Sequence, residues 1–98
     1  MTIHQLRLLR TRRKEWTFET INWTKGVRRE IKDLIESSGD KGFYASEIAA
    51  IANWTNNDAM CLIEYMKEKK ALRRLRNDIR RHAIDPSYKG DLLRDFFS

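Results

Sequence analysis

The chain has one cysteine, one proline, two histidines and four glycines among its 98 residues. Cys61 has no second cysteine to pair with, which excludes an internal disulfide and a cysteine zinc knuckle and suits a reducing compartment. His4 and His82 are too far apart in sequence and too poorly supported by neighbouring ligand types to suggest a metal, so no metal and no cofactor are expected. There is no glycine-rich phosphate loop, no Ser, His and Asp set that can be argued together, and no histidine near Cys61 in the sequence, so no enzyme reading survives. No apolar run approaches the length of a membrane span, and "MTIHQLRLLRTRRK" has no apolar core before a small-residue cleavage site. These absences lead us to expect no membrane partner and a cytoplasmic protein, nuclear in a eukaryote and in the host cytoplasm for a virus.

Positive charge is plentiful. Twenty Lys and Arg against fourteen Asp and Glu give a formal charge of +6, and a basic surplus on so short a chain speaks of partners rather than of fold. Nucleic acid is the leading candidate. The charge is unevenly placed: residues 1 to 14 hold Arg7, Arg10, Arg12, Arg13 and Lys14 with no acid, and residues 67 to 81 hold eight basic residues against Glu68 and Asp78. Between these blocks the chain is nearly balanced and carries most of the regular apolar spacing. A chain of this length supports one modest core, and we divide it into a basic N-terminal arm or helix (1–21), a central domain (22–86) and a helical tail (87–98).

In "TKGVRREIKDLIESSG" Val27, Ile31, Leu34 and Ile35 share a helix face and Gly39 supplies the stop. "FY" after "GDKG" reads as a very short strand, and "ASEIAAIANW" as a compact helix with Ile48, Ile51 and Ala52 turned inward. A third helix is predicted from Thr55, a plausible N-cap with Asp58 three residues on, with Ala59, Ile63 and Met66 as its buried stripe and Leu62 beside it. "ALRRLRNDIRRHAID" follows as a hairpin. With Asn77 and Asp78 at the turn, Arg74 would face Arg81 and Arg73 would face His82, an arrangement weakened by like charge unless an outside anion relieves it. The fold class expected is mainly α with a small β-hairpin.

From "IKDLIESSGDKGFYASEIAAIANWTNNDAMCLIEYMKEKKALRRLRNDIRRHAI", the chain resembles the winged helix-turn-helix family. "SEIAAIA" is similar to the family's second helix and "MKEKKALRRL" to its passage from recognition helix into wing, although Lys70 and Ala71 stand where the family often has glycine. The resemblance implies three core helices plus a wing, the third helix in a DNA major groove and the wing along the backbone or minor groove. Asn56 and Asn57, with Met60 and Cys61 near them off the buried stripe, are then the candidate base readers, since asparagine pairs bidentately with adenine; the alternative is that the two asparagines only start the helix. Arg73, Arg74, Arg76, Arg80 and Arg81 are candidate phosphate contacts, because a guanidinium fork fits phosphate oxygens. Glu64 and Glu68 oppose DNA along the helix's second half.

Arg12 and Arg13 belong either to a basic arm tracking the backbone or to a packing helix with solvated arginines. Trp16, Trp23 and Trp54 are assigned to packing. Leu92, Leu93, Phe96 and Phe97 fall on one stripe of a two-turn helix begun by Asp91; the stripe either folds back on its own domain or joins a second copy into a homodimer. The functional expectation is a small sequence-specific double-stranded DNA-binding protein, a transcriptional regulator of microbial or viral type. The alternatives are a protein-interaction module with Glu64 and Glu68 in the contact, or RNA binding through the hairpin.

Overall fold

Thr24 begins the regular structure, because its hydroxyl accepts a hydrogen bond from the Val27 N–H at 3.2 Å and starts the helix α1, Lys25–Ser38. The computed structural model describes residues 23–98. Helix α1 buries Ile31 and Ile35 completely, with Val27 and Leu34 packed at the margin of the core. It ends at Gly39, whose φ of 52° lies in the left-handed region that glycine tolerates. A turn of 3-10 helix, Gly39–Lys41, leads into strand β1, Phe43–Tyr44.

Helix α2, Ala45–Ala52, follows β1 without a loop, and its first turn is secured by the Tyr44 N–H donating to the Glu47 carboxylate at 2.9 Å. Ile48, Ala49 and Ala52 are buried; Ile51, expected inward, is only half-buried. Asn53 takes a left-handed φ of 57° and reverses the chain, a conformation asparagine adopts more easily than most residues. Thr55 then caps helix α3, Asn56–Glu68, by accepting from the Asp58 N–H at 3.1 Å. Ala59, Leu62, Ile63 and Met66 are all at zero exposure, so Leu62 belongs to the stripe it was expected to flank.

Strand β2, Leu72–Arg74, pairs with strand β3, Arg81–Ile84, and β3 pairs in turn with β1, giving an antiparallel three-stranded sheet in the order β1-β3-β2. The fold is mainly helical with a small sheet. Glycine is required where β1 begins: Gly42 has a φ of 80°, and a Cβ there would stand 2.8 Å from both the His82 carbonyl oxygen and Leu75 Cδ1.

The expected two-turn helix at the tail is a single π turn, Leu93–Phe97. The wider turn rotates Leu93 out of the stripe, leaving it 49% exposed, while Leu92, Phe96 and Phe97 enter the core. Of the two expectations for this stripe, the intramolecular one describes these three side chains. Trp23 stacks on Trp54 at 5.7 Å and meets Phe97 at 6.0 Å; Phe96 meets the edge of Tyr65 at 6.0 Å. Trp23 and Trp54 thus serve packing, as expected; Trp16 lies outside the described residues. Gly90 lets the tail close tightly, because a side chain there would strike Tyr88 and Asp95, which hydrogen-bond to each other at 2.6 Å. Among the described residues no helix is long and apolar enough to cross a membrane.

Candidate nucleic-acid interface

The hairpin's register decides where its arginines stand. Leu72 lies opposite Ile84, Arg73 opposite Ala83 and Arg74 opposite His82, one residue away from the expected pairing. The Leu75 N–H donates to the Arg81 carbonyl at 3.0 Å, so a five-residue loop, 76–80, replaces the two-residue turn. The physical reason is the core face: this register sets Leu72 against Ile84 and keeps His82, which also pairs with Phe43, on the buried side. A one-residue slip would turn that set to the other face. Arg74 and Arg81 therefore do not oppose each other, and the cross-strand repulsion expected from the sequence is absent.

The chain also supplies an anion of its own. Asp78 accepts the Arg80 N–H at 3.1 Å and the Tyr44 hydroxyl at 3.0 Å. Its carboxylate stands 3.4 Å from Arg81 Nε and 3.7 Å from Arg80 Nε. The Arg81 guanidinium lies 4.8 Å from the centre of the Tyr44 ring and donates to the Lys41 carbonyl at 3.3 Å. The Arg80 backbone N–H, then Tyr44 and the two arginines hold the Asp78 carboxyl below the usual carboxylate range, against a smaller opposing cost of desolvation. Asp78 and Tyr44 are missed by sequence reasoning because they are 34 residues apart and meet only when β1 joins the sheet.

The five arginines consequently divide. Arg81 is half-buried and engaged, whereas Arg74, Arg76 and Arg80 are exposed, the side chain of Arg80 by 80%. Among the described residues Arg74 and Arg76 form no ion pair. Arg73 is half-buried, with its Nε lacking a hydrogen-bond acceptor. Beneath them His82 is only 2% exposed with neither ring nitrogen hydrogen-bonded. Burial first, then the charges of Lys67 and Arg74, push its pKa below the usual histidine value, with Glu64 opposing weakly.

Asn56 and Asn57 are exposed in the first turn of α3. Cys61 is half-buried, and Met60 is half-buried against the core, so its side chain is partly committed to packing. Glu64 and Glu68 are exposed on the same helix, with Glu64 3.5 Å from Lys67. Helix α3 rises about 1.5 Å per residue, so the asparagines lie roughly 18 Å along it from the end that feeds the hairpin. The asparagines and the arginines form no shared cluster. Arg12 and Arg13 lie outside the described residues.

The passage from α3 to β2 is a Schellman turn: the Ala71 N–H donates to the Met66 carbonyl and the Lys70 N–H to that of Lys67, both at 2.9 Å. Lys70 occupies the left-handed position at φ 60°. The missing glycine has not prevented the tight connection. Among the described residues no group of three or more His, Cys, Asp or Glu side chains is placed to hold a metal. No protein-family model matches the chain, and searches of curated proteins and of solved structures returned no match.

Proposed function

We propose that the chain is a winged helix-turn-helix protein that binds double-stranded DNA, as a transcriptional regulator, with the start of α3 in the major groove and the β2–β3 hairpin against phosphate. The observation that carries this reading is the hairpin itself: Arg74 at the end of β2 and Arg76 and Arg80 in the loop that joins the strands are exposed to solvent, with Asp78 as the hairpin's single carboxylate. The element order, helix, strand, two helices and a hairpin whose second strand lies between β1 and β2, supports this reading, since three core helices followed by a wing are what the resemblance implies. In this reading Asn56 and Asn57 read base edges, and Glu64 and Glu68 keep the second half of α3 away from the backbone.

The two groups should fail differently. Arg74→Ala or Arg76→Ala should weaken preferred and random duplexes alike, and each phosphate left unneutralised should make the salt dependence shallower by roughly one unit of slope. Asn57→Ala should cost about 1–3 kcal/mol on the preferred site and little on random DNA. Fluorescence anisotropy on both duplexes at several salt concentrations measures this. Unchanged affinity in the Arg74→Ala, Arg76→Ala double variant overturns the reading. The exposed Glu64 and Glu68 favour a second reading, a protein-interaction module, which predicts duplex affinity that is weak and indifferent to all of these changes.

A further inference from the structure

A second basic surface lies on α1, away from the hairpin's own residues. Lys25, Arg28, Arg29 and Lys32 line one wall of a cleft of about 480 Å³ with Asp33 as the one carboxylate side chain among them, and Leu93, Phe97 and Ser98 contribute to the other. The four cations sit at helix spacings of three and four, so they form one stripe about 10 Å long. Like charges at those spacings oppose one another by a few tenths of a kcal/mol per pair. Lys32 has an internal carboxylate partner, Glu36 at 2.6 Å. Arg28 donates to the Ser98 carbonyl at 3.0 Å and lies 5.9 Å from the Trp23 ring, and its Nε has no acceptor. Lys25 and Arg29 are exposed and, among the described residues, have no ion-pair partner. Across from them stands Leu93, whose 49% exposure is matched among large apolar side chains of the described residues only by Ile79 in the hairpin loop.

We propose that this cleft docks an acidic amphipathic peptide segment of a partner protein, its carboxylates along α1 and one large apolar side chain against Leu93 and Phe97. Four cations against the single Asp33 side-chain carboxylate select the occupant's sign, and the length of the stripe selects its form. Carboxylates three or four residues apart on a peptide helix repeat every 5–6 Å, which matches cations spread over this distance. A single anionic head group would meet only part of the row. A phosphate backbone would meet the cations but bring nothing apolar to Leu93. The chain's own residues 1 to 14 carry the same sign as the cleft. The apolar anchor supplies most of the affinity, and the exposed charges supply orientation, association rate and salt dependence. The site is independent of the hairpin, so either can fail without the other.

The test is selection of random 16-residue peptides displayed on phage against the full chain, with the winners measured as free labelled peptides. Expected are sequences rich in Asp and Glu that carry at least one Leu, Phe, Trp or Met. They should bind Leu93→Ser and Arg29→Glu variants at least about tenfold more weakly, a loss of about 1.4 kcal/mol, and weaken as salt rises. Both substitutions are at exposed positions, and circular dichroism checks that each variant stays folded. Absence of enrichment, winners lacking acidic residues, or acidic winners that bind both variants like the original chain would each overturn the proposal. So would a Lys25→Glu, Arg29→Glu variant that loses duplex DNA affinity while no acidic peptide is selected, since the stripe would then be a phosphate contact.

Discussion

Asp78 competes with any phosphate for two of the hairpin's arginines. It neutralises part of the charge of Arg80 and Arg81 in the free protein, and it anchors the loop to Tyr44. Asp78→Asn keeps an oxygen for the Arg80 N–H and removes the charge, while its amide nitrogen becomes a donor where the second carboxylate oxygen had accepted from Tyr44. Duplex affinity should then rise by about 3- to 10-fold, with the salt slope steeper by roughly one unit, measured by anisotropy titration. A fall in affinity would mean that the carboxylate mainly positions the arginines. Arg81 is different from its neighbours: through Tyr44, Lys41 and Asp78 it holds the loop to β1, so its removal weakens the fold as well as the charge. His82 gives the residue scale its pH dependence. Its folded pKa lies below the ordinary value of 6.5, so below about pH 6.5 the unfolded chain takes up a proton that the native state resists. Stability is fully present above that pH and falls as pH drops from there towards the depressed folded value. Urea unfolding at pH 7.5, 6.5 and 5.5 should show the decline, and His82→Leu should flatten it.

At the scale of elements, the junction between α3 and the hairpin carries local strain at a known position. Lys70 holds a left-handed conformation that costs a residue with a Cβ about 1 kcal/mol relative to glycine, although the Schellman bonds around it are made. Lys70→Gly should raise stability by about 0.5–1 kcal/mol in denaturant melts, provided the added freedom of the unfolded chain does not offset the gain. The helices were legible because periodic apolar residues and nearby caps define them: Ile31 and Ile35, the Thr55 cap, and Gly39 need no distant information. The hairpin's existence was equally legible, but its register was not, because the competition between a tight turn at Asn77 and Asp78 and the burial of His82 is decided by Phe43 on another strand. The candidate arginines could be named from sequence, whereas their division into engaged and solvent-facing side chains depends on Tyr44 and Asp78 meeting across 34 positions. The α1 stripe was present as residues 25, 28, 29 and 32, yet nothing local indicates that the tail would form a wall beside it.

Over the whole molecule, the tail is a structural part of the core. Phe96 is 3% exposed and touches Tyr65, Tyr88 and Phe97. Phe96→Ala should therefore cost about 3–5 kcal/mol. At roughly 4–8 °C per kcal/mol for a domain of this size, the melting temperature should fall by more than 10 °C. Light scattering run in parallel separates packing from association: a core role leaves the mass of the folded species unchanged, whereas a shift from dimer to monomer would show that the same ring joins two copies.

The stack of Trp23 on Trp54, closed by Phe97, has an optical consequence. Two indoles held 5.7 Å apart at an interplanar angle of 25° are close enough for their transitions to couple, and the coupling exists only while Trp23, ahead of α1, is docked on Trp54 at the junction of α2 and α3. Helical absorption bands report α1 to α3, but the coupled indole signal reports this long-range closure alone. Where local opening precedes global unfolding, the two spectral regions will separate, and the molecule carries its own gauge of whether Trp23 remains seated on the α2–α3 junction.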